Sequence, residues 1–367
     1  MNTLLERFRL RLVPTFALFA VVALGAPVTA SAMSIEQIAN LTGPDRQKIL
    51  EDGARKEKEV AMIGGLNEKT AARPLIAAFQ KKYPFITGKT IRADTGEALQ
   101  RILAEHRART YSFDIVFASI VEDLREANLV QPLLTPAIDA YPVSERDPER
   151  LWFTYNYNYH GIVGANIDRV PAAQLPKTWE ELLDPKWKGK MTWGDSESTG
   201  GPFLITYLRA LWGEDKALAY FEKLAKQNIV TRRASVRNVL DMVIAGENDL
   251  IVNPALHHIG NVIKTGAPAS ATMIDPVLAR PGYYLLLKSA PHPHAAMLFA
   301  DFLLGKEAQV IFREAQYYPA HPEVDAAAEM QPFQPQRRGM KLFVISDKMM
   351  TTLTPKSQEI FKNLFQQ

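Results

Sequence analysis

The sequence predicts an α/β protein of two lobes, each a mixed sheet flanked by helices, joined by two crossover strands. Three observations lead there. The chain has 367 residues, too many for one ordinary hydrophobic core and comfortable for two. Strand-like and helix-like segments alternate in two separate series, as expected of sheets covered by helices on both faces. Two extended stretches, 154–164 and 269–275, lie where the chain would pass from one series to the other and back. The expected organisation is therefore a first part of lobe 1 over 33–153, lobe 2 over 154–270, and a return to lobe 1 with C-terminal helices over 271–367.

The N-terminus predicts an export signal. Arg7, Arg9 and Arg11 precede an apolar stretch over 12–24, interrupted by Pro14 and Thr15, and Ala30-Ser31-Ala32 supplies an A-x-A cleavage site. This is the three-part pattern of a secretory signal peptide over 1–32. Its apolar core is well short of the ~20 residues that a spanning helix needs. The mature chain is expected to begin near Met33 and to reside in the periplasm. The chain contains no cysteine, which rules out a lipid anchor at the cleavage site and leaves core size, not disulfides, to supply stability. Apolar residues make up 47% and charged residues 23%, with a formal net charge of +3. That balance is of a globular protein, and no basic run suggests nucleic acid.

The elements follow in order. Two short helices occupy 35–58. Then come a strand at 59–65, a helix at 74–83 with Leu75, Ile76, Phe79 and Tyr83 on one face, a strand at 90–93, a helix at 97–108, an apolar strand at 114–118 and a helix at 121–128. The first crossover places Tyr155, Tyr157 and Tyr159 at period two. The second series has strands at 190–194, 228–231 and 249–252. Its helices are at 201–212, 215–227, 236–245 and 255–264. A strand at 283–288 and one long helix over 291–315 are expected to return to lobe 1, with a last helix near 346–365. No repeat or low-complexity segment is present.

No catalytic signature is found: there is no Walker A loop, G-x-G-x-x-G, G-x-S-x-G or H-E-x-x-H, and no cysteine nucleophile. The chain is expected not to be an enzyme and to need no cofactor. The strongest binding constellation is the strand-to-helix turn Asp195-Ser196-Glu197-Ser198-Thr199-Gly200-Gly201-Pro202. Its free N–H groups at a helix start favour an anion, with simple capping by Ser198 or Thr199 as the alternative. Ligands of α/β sheets gather at the carboxyl ends of strands, so Gly65 and Asn67 after the first strand and Ser119 after the third are candidates too. Among Arg232, Arg233 and Arg237, Arg237 is the preferred partner for a carboxylate or phosphate, because Ser235 can cap its helix. Asn253 and Asp275 complete the set of expected ligand-binding residues, apart from the aromatics. Tyr159 and Trp193, with Tyr155 and Tyr157, offer the alternative of an aromatic cage for a cation. His257-His258 and His292/His294 form no metal site on this reading, since adjacent helical side chains such as the first pair diverge by ~100° and the second pair flanks prolines at a helix start. The pairs Tyr283-Tyr284 and Tyr317-Tyr318 read as core and loop aromatics.

Several stretches resemble the family 1 extracellular solute-binding proteins of ABC importers. They are Ala54-Arg55-Lys56-Glu57-Lys58-Glu59-Val60, Asn67-Glu68 with Pro74 through Pro84, Leu99 through Glu105, and Phe113-Asp114-Ile115-Val116. Pro176-Lys177-Thr178-Trp179-Glu180-Glu181-Leu182-Leu183-Asp184-Pro185-Lys186-Trp187-Lys188-Gly189-Lys190 is the most specific, and Ala245-Gly246-Glu247 with Ile251-Val252-Asn253 ends the series. The resemblance spans essentially the whole mature chain. It implies a type II periplasmic-binding fold (a venus flytrap) that captures a small-molecule solute between its lobes and delivers it to an ABC permease in the inner membrane. It resembles the ferric-ion-binding branch most, but the iron-ligating His, Glu and Tyr-Tyr positions of that branch fall at Leu66, Ser119 and Ala255-Leu256. The resemblance implies organic anions, phosphorylated sugars, phosphonates, thiamine or polyamines as solutes, and the Ser/Thr/Gly turn with Arg237 favours an anionic organic or phosphorylated one. Ferric iron, a polyamine-like or thiamine-like cation, or a sensor role beside a membrane kinase are the alternatives. A monomer is expected.

Overall fold

The computed structural model describes residues 33–366 apart from Ser119 and Ser198. The expected signal peptide over 1–32 and these two candidate ligand residues lie outside the described residues. No described helix is long and apolar enough to cross a membrane.

Lobe 1 opens with α1 (Ile35–Ala39), held by a capping box at Ser34, and α2 (Arg46–Glu57). Then come β1 (Glu59–Gly64), a π-helical turn over Glu68–Ala72 leading into α3 (Arg73–Lys82), and β2 (Thr87–Arg92). The chain continues through α4 (Thr95–Ala108), β3 (Ile115–Phe117), α5 (Val121–Glu126) and β4 (Val130–Gln131). The first crossover is β5 (Phe153–Asn166). Lobe 2 contains β6 (Met191–Gly194), α6 (Gly201–Trp212), α7 (Glu214–Ala225), β7 (Val230–Arg232) and α8 (Val236–Ile244). It continues with β8 (Leu250–Val252) and α9 (Leu256–Lys264). The second crossover, β9 (Ala269–Leu287), leads to α10 (Pro293–Leu304), α11 (Lys306–Glu314), β10 (Tyr318–Pro319), β11 (Leu342–Val344) and α12 (Asp347–Phe365).

Strand order β2-β1-β3-β9-β5-β8-β6-β7 makes the two lobe sheets continuous through the hinge. In lobe 1, β1 runs parallel to β2 and β3, and β9 closes the set antiparallel to β3. In lobe 2, β6 runs parallel to β7 and β8, and β5 lies antiparallel to β8. Both sheets are thus mixed. Each is covered on both faces. Phe79, Phe299 and Phe312 anchor one side of lobe 1, and Ile102, Val116 and Leu124 the other. Trp193, Phe203 and Phe221 anchor one side of lobe 2, and Val239, Ile259 and Met273 the other.

Three expectations change. The strands expected at 269–275 and 283–288 are one strand, β9, because its pairing with β5 runs from Asn166↔Ala269 to Phe153↔Tyr284, with irregularities only at Thr154/Asn156 and His160/Ile162. The single helix expected over 291–315 is two: Gly305 is extended (φ −75°, ψ 152°) and serves as both the end of α10 and the N-cap of α11. The last helix packs mainly on lobe 2, not on lobe 1. Ile360 and Phe361 of α12 are buried in the lobe 2 core with Trp193 and Phe221, since that apolar face finds its largest complementary surface there.

The histidines at the start of α10 have structural work. Buried Asp114 accepts hydrogen bonds from Ala61 N (2.7 Å), His292 N (2.6 Å) and His292 Nδ1 (3.0 Å). Glu57 accepts from His294 N, His294 Nδ1 and Ala295 N. Two carboxylates at a helix N-terminus satisfy its orphan donors and favour its dipole.

Candidate functional site in the interlobe cleft

The loops that follow β1, β2, β3, β6, β7 and β8 open onto one cleft. Gly65, Leu66 and Asn67 follow β1, and Arg92, which ends β2, is followed by Ala93, Asp94, Thr95 and Glu97. Phe117 and Ala118 mark the end of β3. From lobe 2 come Ser196 and Thr199 after β6, Ser235 to Asn238 after β7, and Ala255, His257 and His258 after β8. The hinge contributes Tyr155, Asn158, His160 and Arg280 to Gly282. The cleft encloses ≈ 670 Å³, within the range of small-molecule sites. It lies outside the carboxyl ends of the strands, where the βα turns leave backbone donors exposed.

Four expected site residues line it: Gly65, Asn67, Thr199 and Arg237. Asn67 caps its own turn, accepting from Lys69 N (3.0 Å) and Thr70 N (3.1 Å). Ser235 caps α8 through Asn238 N (3.2 Å), which fixes the turn of helix carrying Arg237.

The others sit elsewhere, each for a physical reason. Trp193 is fully buried between Phe361 and Phe365, with centroids at 5.6 and 4.7 Å, because strand alternation turns it to the α12 face. Tyr159 is buried in the hinge against Tyr318 (4.6 Å) and accepts from Gln336 Nε2 (3.3 Å). Tyr157 stacks on Tyr159 and donates to Glu145. Of the four aromatics expected to form a cage, only Tyr155 lines the cleft. Asp275 is exposed and accepts from Lys341 N (2.7 Å). Asp195 is half-buried just after β6 and is not among the lining residues.

Gly200 and Asn253 act behind the cleft wall. Gly200 has φ +81°, and a Cβ there would collide with the backbone of Gly194, so only glycine fits. Asn253, fully buried at φ +57°, accepts from Gly161 N (3.0 Å) and donates to Gly200 O (2.9 Å). It ties the ligand-side turn of lobe 2 to the hinge strand β5.

The structure adds residues that the sequence reading missed. Arg92 and Arg280 join Arg237, so one arginine comes from lobe 1, one from the hinge and one from lobe 2. Arg280 donates to Thr95 Oγ1 (3.1 Å) and lies over the Phe203 ring (5.4 Å). Arg237 pairs with Asp241 one turn along its helix (3.0 Å). Arg92 is exposed and makes no hydrogen bond or ion pair among the described residues. Asp94 is turned back to cap α4 through Glu97 N (2.9 Å). Arg92 was legible as the end of a strand. Arg280 was not, because β9 had been divided on either side of it.

His160, His257 and His258 also line the cleft. The rings of His257 and His258 lie 4.0 Å apart and tilted, and His257 stacks on Tyr317 at 4.6 Å. Their bulk thus converges on the cleft, although their sequence positions suggested divergence. Burial lowers the pKa of all three, with neighbouring charges adding to the shift, and His258 falls to about 4. All three are neutral near pH 7, so the arginines carry the fixed positive charge. His160 Nδ1, His257 Nδ1 and Asn158 Oδ1 are buried without a hydrogen-bond partner, an arrangement that costs free energy unless something supplies one.

The described positions at which the resemblance places iron ligands carry none. Leu66 is buried and apolar, Ala255 offers no donor, and Leu256 is in the core. No group of three His, Asp or Glu among the described residues could hold a metal ion. Tyr155 and Tyr317 are the two lining tyrosines, and burial raises the pKa of both.

Residues 112–337 match the model of a family described as bacterial extracellular solute-binding protein, and the chain belongs to that family. Its members bind solutes and are not enzymes. An uncharacterized protein of Haemophilus influenzae is 29% identical over 254 residues, covering 63% of this chain and 69% of that one. Iron uptake protein A2 of Synechocystis is 26% identical over 257 residues, covering 64% and 72%. Among solved structures, the periplasmic binding protein AfuA of Actinobacillus pleuropneumoniae with fructose-6-phosphate bound superposes with a TM-score of 0.69 at 21% identity, covering 84% of this chain and 98% of that chain. That likeness establishes the two-lobed periplasmic-binding fold.

Proposed function

We propose that the protein is a periplasmic receptor that captures an anionic organic solute, with a phosphorylated compound as the best fit, and delivers it to an ABC permease in the inner membrane. The observation that carries this reading is the convergence of Arg92, Arg237 and Arg280 on one cleft whose histidines are neutral. Guanidinium groups keep their charge at any periplasmic pH and match carboxylate and phosphate oxygens bidentately. A volume of ≈ 670 Å³ is much more than an inorganic anion fills. The unpaired Asn158 Oδ1, His160 Nδ1 and His257 Nδ1 suit hydroxyl or other polar groups on the solute's organic part. The related fold that holds fructose-6-phosphate supports a sugar phosphate as the first compound to try. Solute bound between lobes makes contacts from both only when they close, so binding favours the closed form, which a permease can recognise.

A thermal-shift screen of refolded, ligand-free protein tests this. Sugar phosphates, inorganic phosphate, polycarboxylates, polyamines and ferric citrate form the panel. An organic phosphate or polycarboxylate at ~100 times its Kd is expected to add about 2.7 kcal/mol of stability. Stabilisation by polyamines alone overturns the anion reading. Ferric citrate is expected to give no tyrosinate-to-iron band in the visible spectrum. A strong band at stoichiometric iron would show that Tyr155 or Tyr317 ligates the metal after all.

A further inference from the structure

Helix α12 touches both lobes. Its apolar face is rooted in lobe 2 through buried Ile360 and Phe361. Arg209 of α6 fastens it, donating to Leu353 O (2.6 Å) and Ser357 Oγ (2.8 Å). The ligand-side turn of lobe 2 rests on this helix. A side chain at Gly201 would collide with the Phe361 ring. Trp193, in the strand before that turn, packs on Phe361 and Phe365. At its other end α12 leaves lobe 2: Thr351 Oγ1 donates to Asp123 Oδ2 at 3.2 Å. Asp123 lies in the first turn of α5, the helix that follows the ligand-side turn of lobe 1 at Ala118.

We propose that α12 is an interlobe latch, anchored in lobe 2 behind its ligand-side turn and joined to lobe 1 by Thr351 and Asp123, which stabilises the closed cleft without touching solute. A latch of this kind requires that lobe opening move α5 relative to α12, so that the contact exists in only one of the two arrangements. A contact present in one state alone shifts the equilibrium toward that state. When only a fraction of molecules is binding-competent, apparent affinity falls by that fraction. Thr351 and Asp123 are therefore positioning residues, acting on the lobes and not on the solute. The inference rests on the two-lobed fold and stands whatever the chemistry of the solute.

The absence of native cysteine permits a direct test on ligand-free protein. A double variant, Asp123→Cys with Thr351→Cys, is oxidised and compared with its reduced form by small-angle X-ray scattering. Thr351→Val, at an exposed helix position, is compared with the parent, and circular dichroism verifies that every variant is folded. The cross-linked form is expected to be more compact than the reduced form, and Thr351→Val less compact than the parent. Failure of the disulfide to form shows that the two helices do not meet in solution and overturns the proposal. Equal profiles in either comparison overturn it as well, because the contact would then persist through, or have no part in, lobe movement.

Discussion

Trp193→Ala is expected to destabilise the protein by about 3–5 kcal/mol, the range for removing a large aromatic from a packed core. Trp193 has no exposed surface and lies against both phenylalanines of α12. Its Nε1 donates to Thr231 Oγ1 (3.0 Å), which in turn donates to Phe365 O (3.2 Å). Truncation removes the ring, opens a cavity and leaves a break in that chain of hydrogen bonds. Urea unfolding should show a lower midpoint with an unchanged slope. Trp193→Phe keeps most of the packing and should cost less. If instead stability holds and only solute binding falls, Trp193 faces the cleft and the position of α12 on lobe 2 is wrong.

Arg237→Ala is expected to weaken binding of the solute found by the thermal screen about ten- to a hundredfold, equivalent to roughly 1.4–2.8 kcal/mol. A charge-assisted hydrogen bond to the anion accounts for a loss of that size. The fold should be almost indifferent. The Arg237–Asp241 pair is an i,i+4 contact at a partly exposed site, and such pairs contribute only about 0.3–0.5 kcal/mol. Asp241→Asn separates the two roles, because it removes the helix pair but leaves the guanidinium in the cleft. Calorimetry on both variants decides the matter: Arg237→Ala binding like the parent would place the anion on Arg92 and Arg280 alone.

These two residues mark how far the sequence could be followed. Both sit on correctly expected elements, at the end of a strand and at the start of a helix. For Arg237 the helix start was enough, since the loop after a parallel strand must open at the carboxyl end of its sheet. For Trp193 the strand was right but the side was not. Alternation specifies two faces and leaves open which faces solvent when both are covered. The covering came from α12, more than 150 residues away in the chain, whose destination local pattern could not reveal.

The local periodicities by themselves determined the two α/β series, nearly all strand and helix positions, and the turns at Gly65, Asn67 and Thr199 that line the cleft. Those depend on the pleat, the helical turn and the chain direction of parallel strands, which a few neighbouring residues settle. Only the tertiary structure decided which distant groups share the cleft. Arg280 reaches it because 269–287 is one strand that runs through the hinge, and His160 because the register shift beside it interrupts the regular pairing of β5 with β9. His257 turns inward because its ring stacks on Tyr317, which arrives from beyond α11. Each of these depends on strand register or on packing between segments far apart in the chain. Such contacts form by burying apolar surface that no local window contains, so their outcome is written in the assembled lobes and not in any stretch of the sequence.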